Sequence, residues 1–158
     1  MTDSIHLQHL RQALTVAQRS RSHGNHPFGA ILVDENNVVL LEAENTVNTE
    51  HDCTGHAETN LVRLASQQFA PEVLRTCTLY TSTEPCAMCA GAIHWGQIGQ
   101  VVFALSEERL YANIGSHAEN ETMRLPCREV FARCGRPVEV IGPLIEEEAW
   151  AVHQGFWV

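Results

Sequence analysis

Two short segments, His56-Ala57-Glu58 and Pro85-Cys86-Ala87-Met88-Cys89, constrain this chain more than any other feature. Each stands where a helix is expected to begin, after a loop or a strand end. That is where α/β folds gather their functional groups. The second segment sets two thiols about one helical turn apart, so both can reach one metal ion. A helix N-terminus stabilises thiolates through its dipole and its unpaired N–H groups. Two sulfurs and an imidazole nitrogen form a soft donor set that favours zinc. Three protein ligands, His56, Cys86 and Cys89, leave a fourth tetrahedral position for water, whose pKa zinc lowers toward neutrality. Glu58 follows His56 by two residues. It is too near to be a good fourth ligand, but it can lean over the water and move its proton. A lone Cys-x-x-Cys would leave a redox pair or a structural zinc site open. His-Ala-Glu has no redox role. A structural site wants a fourth ligand, for which His51 and Cys53 are the nearby candidates.

Composition bounds the rest. A chain of 158 residues fits one domain, 1–158, with a single sizeable core. Hydrophobic residues make up 44%, which argues against disorder. No apolar run approaches the roughly 18 residues of a membrane span, and the first 21 residues lack an apolar signal core. A cytoplasmic protein is therefore expected, with its six cysteines reduced or metal-bound rather than paired. The formal net charge is −9, and every one of the ten basic residues is arginine. That balance argues against a large polyanion such as nucleic acid as partner.

The hydrophobic pattern predicts a helix over 2–22, with Leu7, Leu10, Leu14 and Ala17 on one stripe. Strands over 28–33 and 38–44 around a turn at 34–37 read as a hairpin. A polar loop over 45–55 leads to a helix over 56–68. A strand over 78–82, a helix over 86–95 and a strand over 101–104 follow. The stretch 107–126 has no clear reading. A strand over 138–141 and a helix over 144–154 close the chain. This order predicts a mixed sheet with helices on both faces, the strands at 78–82 and 101–104 running parallel to their predecessors.

The His-x-Glu and Pro-Cys-x-x-Cys pair matches the signature of zinc deaminases. From Pro27 to Gly99 the chain resembles the cytidine-deaminase-like superfamily, in its branch of free-base and tRNA deaminases. The residues that carry the resemblance are Pro27-Phe28-Gly29-Ala30, Glu44-Asn45, His56-Ala57-Glu58 and the run from Pro85 to Ile93. The resemblance implies a three-layer α/β/α sandwich with a five-stranded mixed sheet, one zinc ion per chain, hydrolytic deamination and a homodimer. Within the branch, Phe28 and Trp95 look most like bacterial guanine deaminase. That likeness makes guanine or a related aminopurine the expected substrate. It implies that Phe28 and Trp95 flank the base, Asn45 bonds its edge, and Ala57 and Cys86 offer backbone groups. Residues 107–158 match that family less well; there the C-terminal segment closes the site and can be exchanged between subunits. Phe156 and Trp157 are candidates for such a lid. Three other readings share the motifs: a cytosine or nucleoside deaminase, a tRNA adenosine deaminase, and a non-catalytic zinc-binding module.

Overall fold

In a computed structural model, residues 2–158 are described. A hairpin starts the sheet: β1 (Gly29–Val33) and β2 (Val39–Glu44) pair antiparallel. Asp34 closes the turn between them, its Oδ1 accepting from the backbone N–H groups of Asn36 and Val38 at 2.8 and 2.9 Å. β3 (Thr78–Thr83), β4 (Gln100–Leu105) and β5 (Glu139–Ile141) complete a five-stranded sheet in the order β2-β1-β3-β4-β5. β3 pairs antiparallel with β1, while β4 pairs parallel with β3 and β5 with β4. The expected parallel crossover holds in direction, because β2 and β3 both run opposite to β1. They are not neighbours, however; β1 lies between them.

Long helices cover both faces. α1 (Thr2–Ser22) lies on one face, α3 (Ala57–Gln68) and α5 (Ala87–Trp95) on the other. The alternation of side chains along a strand builds two cores from one sheet. Ala30, Leu32, Leu79, Val101 and Phe103 pack with Leu61, Ala65 and Ile93. Ile31, Val33, Tyr80, Val102 and Ala104 pack with Leu10, Ala13 and Leu110. β1 is buried at all five positions, as a strand covered on both faces should be. Gly29 at its start is a steric requirement. A Cβ there would lie 2.7 Å from Ala13 O and 2.8 Å from Val16 C, so a side chain would push α1 off the sheet.

Short helices account for the segments without a clear periodicity. α2 (Val47–Glu50) and α4 (Pro71–Leu74) are single turns. α6 (Glu107–Ile114) starts at Ser106, whose side chain accepts from Arg109 N at 3.2 Å. α7 (Cys127–Ala132) and α8 (Glu146–Ala151) follow, the last shorter than the pattern over 144–154 predicts. Among the described residues, no helix is long and apolar enough to cross a membrane.

Candidate metal centre and active-site cavity

Because β2, β3 and β4 run the same way, their carboxyl ends share one edge of the sheet. The residues just past those ends are Asn45, Glu84 to Cys86, and Ser106 to Glu107. Phe28, just before β1, enters at the same edge because β1 runs the other way. Helices that return across the sheet from this edge must start here. His56 is the N-cap of α3 and Cys86 the N-cap of α5, both with extended backbone and neither with a side-chain capping bond. Topology therefore turns two distant motifs into one site.

His56 Nδ1 lies 3.5 Å from Cys86 Sγ and 3.6 Å from Cys89 Sγ, and the three ligand atoms fall within 4.8 Å of one another. A tetrahedral zinc with N at about 2.1 Å and S at about 2.3 Å separates N from S by about 3.6 Å. The donor set and its spacing fit zinc. His51 and Cys53 do not join this group among the described residues, so three protein ligands converge. Thr59 Oγ1 stands 3.2 Å from Cys89 Sγ and can donate to the thiolate. The Cys86 thiol is held down at about 4, first by its hydrogen bond from Cys89, which is itself pushed up by that sharing and by burial. Glu58 is only 6% exposed. Burial, then the charge of Cys86, pushes its carboxyl up to about 7, against the pull of His56.

A cavity of about 450 Å³ opens over these groups. Phe28, Asn45, His56, Glu58 and Cys86 all line it. Asn45 is buried, and its Oδ1 accepts from Val47 N at 3.0 Å. It does close a turn, and doing so leaves Nδ2 as the group it can offer to a ligand. Ala57 is buried as the first residue of α3, where an N–H has no partner within the helix.

Trp95 departs from expectation. It is 79% exposed and does not line the cavity of its own chain. It is the last residue of α5, and nine residues of helical rise carry it about 13 Å from Cys86. Trp157 takes the place beside the cavity instead. Its ring stacks on His26 at 5.6 Å, and its Nε1 donates to His153 Nδ1 at 3.0 Å. Phe156 lies outside the lining and packs under Arg21, with 5.6 Å from guanidinium to ring centroid. Arg21 Nη1 also donates to Val152 O and Gln154 O at 2.8 and 2.7 Å. The C-terminal segment is thus tied to α1 of the same chain.

Motif reading missed the acidic part of the wall, which includes Glu84, Glu107, Glu119 and Glu121; among the described residues no arginine lines the cavity. Glu84 is buried and accepts from Glu107 N at 3.1 Å and Cys127 N at 3.0 Å, tying together the starts of α6 and α7. Glu107 could have been found by its place three residues past the end of the strand over 101–104 and by its capping serine.

Comparison with known proteins agrees with this geometry. Residues 3–105 match the family described as the cytidine and deoxycytidylate deaminase zinc-binding region. A protein of Schizosaccharomyces pombe named "Probable cytosine deaminase" is 45% identical over 151 residues, covering 96% of this chain and 91% of that protein. Guanine deaminase of Bacillus subtilis is 34% identical over 129 residues, covering 75% of this chain and 82% of that one. In fold, the chain superposes on the guanine deaminase of Nitrosomonas europaea with a TM-score of 0.77. The two are 22% identical, over 94% of this chain and 82% of that one. A match over most of the length, spanning both helix starts that converge on the metal centre, means that this chain belongs to the zinc-dependent cytidine and deoxycytidylate deaminase family, hydrolases of exocyclic C–N bonds.

Proposed function

We propose that the chain deaminates an uncharged free base, with cytosine as the leading substrate rather than guanine. The observation that carries this choice is the near full-length likeness to the S. pombe protein, at 45% identity against 34% for the B. subtilis guanine deaminase. One of the two residues that favoured guanine, Trp95, lies outside the cavity. The acid-lined wall disfavours a phosphate, which weighs against nucleotides and tRNA.

The proposed roles follow from position. His56, Cys86 and Cys89 would hold the zinc ion, which when bound would lower the pKa of water and so supply a nucleophile at neutral pH. Glu58 takes the proton released from that water. It passes a proton to the ring nitrogen beside the amine-bearing carbon, which spares the ring a full negative charge. It then takes the second proton of the same water, from the oxygen now bonded to that carbon, and delivers it to the departing amine, which leaves as ammonia as the carbonyl forms. Asn45 Nδ2 donates to an acceptor on the base, and the N–H of Ala57 is free to do the same. Phe28 and Trp157 hold the ring faces, and the terminal segment acts as the lid. The family resemblance implies a homodimer, and exposed Trp95 is available to a second copy.

An ammonia-release screen of zinc-loaded protein tests the reading. Cytosine should be the best substrate among cytosine, guanine, adenine, their nucleosides and an anticodon stem-loop. Faster turnover of guanine would restore the purine reading, and salt-sensitive turnover of the stem-loop would favour the tRNA reading. Zinc-replete protein that released no ammonia from any of them would be a non-catalytic module. Glu58→Ala should keep zinc and lose nearly all turnover.

A further inference from the structure

Three of the buried polar atoms that lack a hydrogen-bond partner belong to residues that line the same cavity: Thr83 Oγ1, Glu107 Oε2 and Asn120 Oδ1. Each can accept a hydrogen bond. Enclosed polar groups are normally paired, because leaving one bare costs the desolvation of that group. Bare acceptors on residues that line one cavity leave room for a donor that enters with a ligand.

Glu107 is the extreme member. The residue is only 6% exposed. Its backbone is held from below, by Glu84. Its carboxyl group is not needed to cap α6, since Ser106 does that and Glu108, in the same turn, faces solvent. Burial first, then the charges of Glu84 and Cys86, pushes the carboxyl up to about 7. Two of the other carboxylates around the cavity are engaged, and Glu121 is exposed to solvent. Both oxygens of Glu84 hold backbone N–H groups, and Glu119 Oε1 is 3.0 Å from His26 Nε2. Asn120 and Thr83 are neutral and Glu58 is committed to proton transfer, so the strongest buried acceptor left open is the Glu107 carboxylate.

We infer that Glu107 is a specificity-determining residue whose carboxylate accepts a hydrogen bond from a ring N–H of the base, with Thr83 and Asn120 completing the acceptor wall. This rests on the proposed deaminase reading and deepens it. The ligand class is an unsubstituted aminopyrimidine or aminopurine. A base that carries a sugar or methyl group on that nitrogen has no N–H to give and would leave the carboxylate bare. A site built around such a bond rejects analogues that lack it far more strongly than an apolar pocket does.

The test pairs substrates and products that differ only at that nitrogen. Turnover is compared for cytosine and 1-methylcytosine, and binding by calorimetry for uracil and 1-methyluracil, in wild type and in Glu107→Gln. Wild type should prefer the unsubstituted member of each pair by about a hundredfold. Glu107→Gln should lose about tenfold or more in kcat/KM for cytosine, mainly through KM, and narrow both preferences by a similar factor. It should hold zinc at wild-type stoichiometry and melt no lower than wild type, because it removes an unpaired buried acid. Asn120→Ala, on a partly exposed loop, should narrow the same ratios by a few-fold. Active protein whose preferences are unchanged in Glu107→Gln overturns the assignment and leaves the deaminase reading intact. A variant that instead loses zinc or its cooperative melt makes Glu107 structural and also overturns it. Wild type that releases no ammonia from any base or nucleoside overturns the functional reading, and this inference with it.

Discussion

Glu84 stands between the metal centre and the second half of the chain, and its removal should be felt in stability. Its two carboxylate oxygens accept from Glu107 N at 3.1 Å and Cys127 N at 3.0 Å, so one side chain serves the first turns of α6 and α7. The site is buried, so water cannot readily replace it. A hydrogen bond to a charged acceptor contributes about 1.5–3 kcal/mol, and a bare buried N–H costs a comparable amount. Two such bonds set a range of about 3–6 kcal/mol for Glu84→Ala. The lower half is the better figure, because the variant also frees Glu107 from a neighbouring like charge. A loss of about 3–4 kcal/mol should lower the melting temperature by about 10 °C in a chain of this length. Urea unfolding at fixed zinc concentration measures it, with an unchanged m-value as the check that only the folded state was affected. Glu84→Gln should fall between, since its amide keeps one acceptor but turns a donor toward the other N–H. A loss below about 1 kcal/mol for Glu84→Ala would refute this role and show that α6 and α7 start without the anchor.

His153 carries the pH prediction. Burial, then the charge of Arg21, lowers its pKa to about 4, while the unfolded chain titrates near 6.5. The folded state therefore resists protonation: stability is full above about pH 6.5 and is lost as pH falls through about 4. That difference corresponds to about 3 kcal/mol at most. His153→Gln should flatten the decline in urea midpoint between pH 7 and pH 4; an unaltered slope would assign the acid sensitivity to other groups. Cys86→Ala should lose zinc and, with it, part of the folding free energy, read as metal content after dialysis and as a lower melting temperature. Wild-type zinc affinity in that variant would mean that the ligand set is wrong. Trp157→Ala should raise KM by about tenfold with little change in kcat, because it removes a cavity wall and touches no reacting atom. A loss confined to kcat would place Trp157 in the chemistry instead.

Local signals read well where one element makes its own case. α1 matches the helix expected over 2–22, and the hairpin, β3, α3, α5 and β4 lie within a residue or two of their expected bounds. These segments have clear periodicity and marked ends. The short helices α4 and α7 escaped, because four to six residues carry too little pattern to be told from a loop. α6 was legible in principle through Ser106, but it is followed by irregular chain that hid its end.

The metal centre follows the same division. His56, Glu58, Cys86 and Cys89 could be read from sequence because zinc chemistry dictates residue types, and helix geometry dictates their spacing within each motif. That both motifs meet at one point depended on the shared direction of β2 and β3, imposed by the antiparallel strand β1 between them. The cavity wall was decided by tertiary structure alone. Trp95 sits close in sequence to the ligands, and helical rise carries it away; Trp157 is distant in sequence, and Arg21 with His153 brings its segment back. A helix turn or a capping motif is a relation between near neighbours, so sequence by itself determined the reaction class. Substrate recognition joins strand ends, loops and a terminus that only the packed sheet brings together.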